Sequence, residues 1–453
     1  MPRESTTNSS TTRQRRSRII AACALVVVGL IFAEFVRHAL KYAYPPQDQT
    51  KGDFLAFYEA AREFAHGGDL YAKRHRNYIY PPMVALLYLP LTLLDDPPTM
   101  HRAAGIISLL ASTGMLIAAA WMLARESLRR LAPTAPASLA PIVMLVSTLV
   151  MADKLRGELR MWQTNALVCF LMALALRWLD KRPMLAGLAL GLAVNVKYLP
   201  IFFLPYLLVR RRFVTAGGML AGIALGAFAP ALWVGWSKNL EYLRIGFGGL
   251  LALVGIKPPE GQVAVTEDIA GGLSISLTSA FARALGGADH AQGALGLSAA
   301  LAALVCCGVA IVYRRQSLPL LAWPRAAAQN SGPFPALLLL EWNLLLLGLL
   351  IFGPQTNTRH LSQLIAPVAC AAAIIVAPAT PRLRLVAIAG VGVLLATLVL
   401  PLGGTESGAS AVAWWHNIGG PSFGMLALMA ALVWAISRQL RASVQSGESA
   451  PAS

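Results

Sequence analysis

Charged residues are scarce in this chain. They make up 13% of its 453 residues, whereas 57% are hydrophobic and the mean hydropathy is +0.60. A soluble domain carries roughly 25% charged residues, so the composition argues against a soluble fold. Several apolar runs approach or exceed the ~18 residues that indicate a membrane helix. The sequence therefore predicts an all-α protein that crosses a membrane many times.

Cysteines and acids are also few. The five cysteines all lie inside apolar runs without metal-ligand spacing, which argues against a disulfide framework and predicts small buried side chains. Lys and Arg outnumber Asp and Glu by 38 to 21. The basic residues form short clusters between apolar runs, which is typical of cytoplasmic loops. The charge therefore predicts orientation among membrane lipids and not a nucleic-acid partner.

The spacing of the basic clusters predicts the topology. If every cluster is cytoplasmic, the chain crosses the membrane an even number of times between neighbouring clusters. This gives about twelve spans (11–13) in one transmembrane domain over residues 19–440, in the plasma membrane with both termini cytoplasmic. Residues 1–18 and 441–453 are predicted to be disordered tails. The clusters are Arg13 to Arg18, Arg125 to Arg130, Lys181-Arg182, Arg210 to Arg212, Arg314-Arg315, Arg382 to Arg384 and Arg438 to Arg441.

Three loops are long enough on the outer side to build a site, namely 42–102, 237–293 and 403–417. Residues 80–94 are apolar but short, so we interpret them as an interfacial or re-entrant helix within the first loop. The stretch from Lys181 to Arg210 is broken at "NVKYLP". Two short arms there keep both flanking clusters cytoplasmic and place Lys197 near the outer tip.

An acid stands about twelve residues after the first apolar run. After Asp53, the stretch "FLAFYEAAREFAHGG" has helical spacing, with phenylalanines on one face and a stop signal at Gly67-Gly68. Asp53 can be read as the N-cap of this helix. An acid near a membrane is costly unless it has a use, so a catalytic role is the second interpretation.

The motifs that follow occur in a specific order. After Asp53 come "YEAA" at Tyr58, "GGDLY" at Gly67, "YPP" at Tyr80, "QTNALV" at Gln163 and "AGLALGLAVNVKYLP" from Ala186. This order resembles glycosyltransferase family 87, the polytopic mannosyltransferases that use polyprenol-phosphate sugars. "GGLSISLTSAFAR" and "TNTRHLSQLIAPV" resemble later family segments. Three residues depart from the family pattern: Trp162 replaces a glycine, Arg359 replaces the first histidine of a late pair, and Thr358 stands in the region of the family's tryptophan.

The resemblance implies a GT-C fold with its active site at the outer membrane face. It implies a polyprenyl-phosphate sugar donor, most directly of mannose, and a glycolipid or polysaccharide acceptor. Asp53 would then be the general base that takes the proton of the attacking hydroxyl. The leaving lipid phosphate needs positive charge more than an acid. Lys197, Arg359 and His360 are the candidates for supplying it.

Four further residues complete the predicted substrate site, namely Gln163, Asn165, Tyr80 and Tyr58. All but Tyr58 have a structural alternative, as does Lys197. Gln163 and Asn165 are candidate substrate ligands or hydrogen bonds between helices, Lys197 could snorkel to the interface, and Tyr80 could shape its loop. Tyr58 belongs to the same set through its motif. No DxD or ExD sequence lies nearby, so we predict no essential metal and no cofactor.

Two other functional classes fit a polytopic chain. A transporter or flippase of a lipid-linked envelope precursor would favour two repeated halves and polar groups at mid-membrane. Neither is evident here. An envelope ligase or acyltransferase would need a histidine-centred site and would leave Asp53 unexplained. A transferase predicts that Asp53, Lys197 and His360 converge on one cavity.

Overall fold

The fold is almost entirely helical. The computed structural model describes residues 5–43, 52–72, 78–94, 100–254, 256, 268–320, 334–399 and 406–448. It is 82% helical, and the described residues contain no strand. The prediction of an all-α membrane protein is therefore confirmed, with one isolated antiparallel bridge between Ser274 and Asn357.

Nineteen α-helices lie in the described residues. The first ten are α1 (Ser5–Ala43), α2 (Phe54–Ala65), α3 (Pro82–Thr92), α4 (Met100–Leu131), α5 (Ala140–Val150), α6 (Ala152–Met161), α7 (Asn165–Trp178), α8 (Pro183–Val194), α9 (Phe203–Val209) and α10 (Phe213–Phe228). The others are α11 (Ala231–Val234), α12 (Trp236–Leu253), α13 (Leu277–Ala284), α14 (Ala291–Arg315), α15 (Phe334–Phe352), α16 (Ile365–Val376), α17 (Pro381–Val399), α18 (Glu406–Asn417) and α19 (Gly420–Glu448). Short 3₁₀ helices, including Leu199–Phe202 and Thr358–Leu364, connect some of them.

Every apolar run that was counted as a span is helical, but the helices differ in length. Eight of those described are long and apolar enough to cross a membrane, and they are centred on α1, α4, α10, α14, α15, α16, α17 and α19. The pair α5 and α6 is bent by 71° and would make a ninth. The remaining predicted crossings fall on α7, α8 and α9, which are shorter. The turn at Trp162 precedes α7, and the break at Lys197 separates α8 from α9.

Both termini correct a sequence prediction. Helix α1 begins at Ser5, so residues 5–18 are helical and not a disordered tail. Helix α19 extends to Glu448, which includes most of the segment from 441 that was predicted to be disordered. In both cases a long apolar helix supplies the nucleus, and adding polar residues to an existing helix is far easier than starting one. Residues 1–4 and 449–453 lie outside the described residues.

The core lies around α15 and α16, and α14 lies at its edge. In the apolar window of the span that contains α16, 78% of the residues are buried, compared with 6% for α14. Helix α16 packs against α4, α5 and α17, whereas α14 packs against the short helix α13 and touches α15 and α19 only at limited points. Much of α14 therefore stands away from the bundle.

The breaks between helices converge at one end of the bundle. Asp53 immediately precedes α2, Gln163 lies between α6 and α7, and Lys197 lies between α8 and the next 3₁₀ helix. Arg359 lies in the first turn of the 3₁₀ helix Thr358–Leu364. At a helix end, some backbone N–H and C=O groups have no hydrogen-bond partner within the helix, so they can bond to other parts of the chain. The fold thus gathers polar groups at helix ends while apolar helix interiors form the core.

Candidate active site

The carboxylate of Asp53 is the centre of the polar cluster. Asp53 occupies the N-cap position of α2, but its side chain makes no capping hydrogen bond, so the capping interpretation is wrong for this side chain. Its backbone N–H instead donates to the carbonyl of Met161 (3.0 Å). The carboxylate accepts from the amide of Gln163 and pairs with Nη1 of Arg359 at 3.0 Å.

Tyr80 supports this arrangement from the loop before α3. Its hydroxyl donates to Oε1 of Gln163 (3.4 Å), the residue whose amide nitrogen contacts Asp53. Its carbonyl accepts from the hydroxyl of Tyr71 (3.0 Å). Burial, reinforced by the nearby Asp53 carboxylate, raises the pKa of Tyr80. The phenol therefore stays protonated and serves as a donor at neutral pH.

The side-chain amide of Asn165 joins three parts of the site. Its Nδ2 donates to the carboxylate of Glu158 (2.8 Å) and to the carbonyl of Arg359 (3.1 Å). Its Oδ1 accepts from Nζ of Lys197 (2.7 Å). Since both donors are used on one side, the amide can present only its oxygen to Lys197. Asn165 is fully buried, so these contacts are not exchanged with water.

Lys197 follows the end of α8 directly. The preceding Asn195 donates to the carbonyls of Gly191, Gly222 and Ile223, which fixes the end of α8 against α10. This anchor directs Lys197 into the cluster, where Nζ lies 5.9 Å from the ring centroid of Tyr80. Lys197 therefore contacts an amide and an aromatic ring, and it does not extend along the surface as snorkelling would require.

Arg359 and His360 occupy the first turn of the 3₁₀ helix Thr358–Leu364. Asn357 caps this turn, because its side chain accepts from the N–H of Arg359 (3.1 Å). Nδ1 of His360 in turn accepts from the N–H of Asn357 (3.4 Å). His360 thus holds its own loop while its ring lines the same cavity as Asp53. The reciprocal cap sets the direction in which Arg359 leaves the backbone.

Trp162 explains one departure from the family pattern. It ends α6 in the left-handed conformation, with φ 57° and ψ 48°. Glycine adopts this conformation without strain, whereas other residues are held there at a cost of about 1–3 kcal/mol. The buried Trp162 ring meets Phe54 edge to face at 5.0 Å, next to Asp53. Its packing offsets the backbone strain and fixes the start of α2.

The polar cluster closes one end of a large cavity of about 1450 Å³. Asp53, Lys197, Arg359 and His360 line that end, together with Gln163 and Tyr80. The structure places Tyr58 elsewhere: it is buried in the core against Phe54, at 5.7 Å between ring centroids. Its motif therefore marks packing of α2 and not a contact of the cavity wall.

Apolar helix faces form the rest of the cavity. One face of α14 lines the cavity from Leu295 to Tyr313. The part from Ser298 to Tyr313 is about 22 Å long at 1.5 Å per residue. Glu341 lies eleven residues before the end of α15 at Phe352, which is about 16 Å along the helix from the end that leads to Arg359. It accepts from Arg210 and from Tyr206 (2.8 Å), and all three residues line the cavity. The cavity is thus polar around Asp53 and around Glu341, and mostly apolar between them.

The cluster contains two acids, Asp53 and the buried Glu158, beside the cations Lys197 and Arg359. Among the residues that the structure describes, no group of three or more His, Cys, Asp or Glu side chains could hold a metal ion. All five cysteines are free, but Cys23, Cys306 and Cys307 are exposed on their helices, which corrects the expectation that they are buried. That the reaction needs no metal stays a prediction.

Residues 78–338 match glycosyltransferase family 87. The chain belongs to this family. It is also similar to GPI mannosyltransferase 1 of Aspergillus fumigatus, with 29% identity over 192 residues, which are 42% of this chain and 41% of that protein. The chain thus spans less than half of this relative. No solved structure matches it.

Family 87 is a family of membrane glycosyltransferases, and the eight long apolar helices of this chain fit a multi-pass member. Membership favours a transferase over a transporter or an acyltransferase. A glycosyltransferase joins a sugar donor to an acceptor, and both must reach the reacting groups. The matched region contains Tyr80, Gln163, Asn165 and Lys197, whereas Asp53 and Arg359 lie outside it. The structure brings all six together.

Glu158 was not among the predicted site residues. It is 1% exposed and accepts from Asn165 (2.8 Å) and from the N–H of Ala166 (3.0 Å). Glu158 thereby caps the start of α7 and orients Asn165. The sequence signal for this contact was the spacing. Asn165 comes seven positions after Glu158, across the turn between α6 and α7, so the two side chains can meet.

The Asn165 contacts lead to a stability prediction. Asn165→Asp replaces the donor toward Glu158 with a second carboxylate, so two buried acids face each other. We expect a loss of about 1–3 kcal/mol in the free energy of unfolding, measured as a lower unfolding temperature in detergent. Adding Glu158→Gln restores a donor–acceptor pair with the opposite polarity and should recover most of the loss. Equal unfolding temperatures for wild type and Asn165→Asp would contradict the assigned contacts.

Proposed function

We propose that the protein transfers a sugar, most directly mannose, from a polyprenyl-phosphate donor to a glycolipid or polysaccharide acceptor. Asp53 is the general base, and the site opens at the outer face of the plasma membrane. The observation that carries this proposal is the cavity itself. One end holds a carboxylate beside Arg359 and Lys197, and the wall between this end and the pair of Arg210 and Glu341 is mostly apolar.

The charges suit an anionic head group that reacts with a hydroxyl. The acceptor oxygen forms a bond to the anomeric carbon, the bond from that carbon to the phosphate oxygen breaks, and the acceptor proton passes to Asp53. The lipid phosphate leaves with the electron pair. Cations fixed near this group stabilise the transition state more than they would in water, because the site is partly dry. Lys197 and Arg359 are the groups placed to do so.

The size of the cavity suits a lipid-linked sugar. Pockets for small ligands usually measure about 300–1000 Å³, and this one measures about 1450 Å³. The apolar face of α14 offers a path for a tail away from the polar end. The opposite face of α14 is exposed on the outside of the bundle. A lipid chain can therefore enter the cavity sideways, past α14, from the bilayer.

The positive-inside pattern supports the orientation. Arg210 belongs to a basic cluster that this pattern assigns to the cytoplasm, and its partner Glu341 lies eleven residues along α15 from the end that leads to Arg359. This supports an outer position for Asp53. The basic clusters Arg13 to Arg18 and Arg438 to Arg441 support cytoplasmic termini by the same pattern. No nucleic acid, metal or cofactor enters the proposed reaction.

The first prediction concerns the base. Asp53→Asn keeps the size of the side chain and removes no capping bond, so the protein should fold. Transfer from a polyprenyl-phosphate sugar should fall by about 10²–10⁴-fold, measured in nanodiscs and normalised to folded protein. Asp69→Asn changes an exposed acid outside the cavity and keeps the oxygen that accepts from the N–H of Tyr71, so it should transfer at the wild-type rate. Near-normal transfer by Asp53→Asn would remove Asp53 as the base.

The second prediction uses two adjacent cysteines of α14. Cys306 lines the cavity, whereas Cys307 does not, and both are exposed. In two proteins that keep only one of them, polyprenyl monophosphate should slow alkylation of Cys306 by N-ethylmaleimide and leave Cys307 unchanged. The corresponding polyprenyl alcohol should protect less, because it lacks the anion for Lys197 and Arg359. Equal protection of both cysteines would place the tail elsewhere.

The third prediction tests orientation. In a background without exposed native cysteines, Asp69→Cys should react in whole cells with a membrane-impermeant maleimide. Arg211→Cys should react only after the cells are opened. Both positions are exposed, so access depends on the side of the membrane alone. Labelling of Arg211→Cys in intact cells would invert the assignment and move the site to the cytoplasm.

A further inference from the structure

Arg283, on α13, binds an unusual number of backbone carbonyls. A guanidinium has five N–H donors in a rigid fork, and five backbone oxygens surround this one. They come from two separate segments of chain. The acceptors are the carbonyls of Ala270 (3.5 Å), Gly271 (2.9 Å), Ser274 (3.1 Å), His416 (3.1 Å) and Asn417 (2.9 Å).

The segment that Arg283 holds is bonded to the residues before Arg359. We call residues 353–357 the bridge loop. Ser274 Oγ accepts from the N–H of Thr356 (3.0 Å), and the N–H of Ile275 donates to the carbonyl of Thr356 (2.6 Å). Ser279 Oγ donates to the carbonyl of Pro354 (3.2 Å). Ser274, Ser279 and Thr356 are fully buried, so water does not replace these bonds.

The bridge loop sets the start of the 3₁₀ helix that carries Arg359. Asn357 forms the bridge to Ser274 and also caps the turn of Arg359. Arg359 in turn pairs with Asp53 and accepts from Asn165 through its carbonyl. A continuous set of hydrogen bonds therefore runs from Arg283 through Ser274 and Asn357 to the polar cluster.

We infer that Arg283 is a positioning residue for Arg359, acting through the bridge loop without touching substrate. The inference rests on the proposed function only for the role of Arg359 at the donor phosphate. Lysine cannot replace Arg283, because a single ammonium has three donors and no planar fork. Losing the fork frees the segment 270–274 and with it the bridge loop.

The first experiment does not depend on activity. Hydrogen–deuterium exchange of Arg283→Lys should be faster than wild type in peptides covering 353–360 and unchanged over α4 and α7. Arg384→Lys is the matched control, since Arg384 also donates to a carbonyl, that of Ala377 (3.1 Å), away from the site. Ser274→Ala, which removes the acceptor of the Thr356 N–H, should reproduce the faster exchange. Unchanged exchange over 353–360 in both variants overturns the inference.

The second experiment is a double-mutant cycle with a polyprenyl-phosphate sugar. Arg283→Lys should raise the donor KM about tenfold, the scale of a lost hydrogen bond to a charged group, with a smaller change in kcat. In an Arg359→Met background the same change should add little, because both act through one contact. Additive effects would make Arg283 merely structural. If the wild type transfers no sugar from this donor, the proposed function fails, and the exchange experiment still decides the inference.

Discussion

The orientation of one buried amide is the constraint on which the site depends. Asn165 contacts an acid, a backbone carbonyl and an ammonium, and the three belong to α6, the 3₁₀ helix Thr358–Leu364 and the break after α8. In an apolar interior an unsatisfied polar group costs several kcal/mol. The amide therefore cannot turn without leaving Lys197 or Glu158 unpaired. Three helix ends are held in register by this single side chain.

Asp53 is supported in a similar way but remains open to the cavity. Its backbone is fixed at Met161 and its carboxylate at Gln163 and Arg359. The Asp53 and Arg359 side chains are 30% and 38% exposed, so the pair can separate when a ligand enters. The contacts around Asn165 are buried and rigid, whereas the pair of Asp53 and Arg359 is partly exposed. A site with both features can hold one substrate in position and release another.

The sequence predicted the helices well, because long apolar runs and proline breaks are local signals. It also predicted most members of the cluster, since the break at Lys197 and the segment around Gln163 resemble family motifs. It could not predict that Arg359 pairs with Asp53, because 306 residues separate them and only tertiary packing brings them together. Tyr58 was misplaced for the same reason: a motif records that a residue matters, not whether it faces a cavity or the core.

The helical tails and the burial of Glu158 were missed because both depend on neighbours. The polar segments at the ends of α1 and α19 are helical because they continue an apolar helix. Glu158 is buried because the amide of Asn165 and the N–H of Ala166 donate hydrogen bonds to its carboxylate. Trp162 shows the converse. Its backbone has a left-handed conformation that glycine adopts more easily. The side chain that stands in place of glycine packs on Phe54.

The outlying position of α14 has a consequence for the state in which the protein is handled. One face of this helix lines the cavity and most of the rest is exposed, so boundary lipid forms part of the enclosure. Lateral pressure from the bilayer then bears directly on the width of the cavity. Solubilisation exchanges that support for a softer detergent shell, and the shape of the cavity becomes a joint property of the chain and its surrounding amphiphiles.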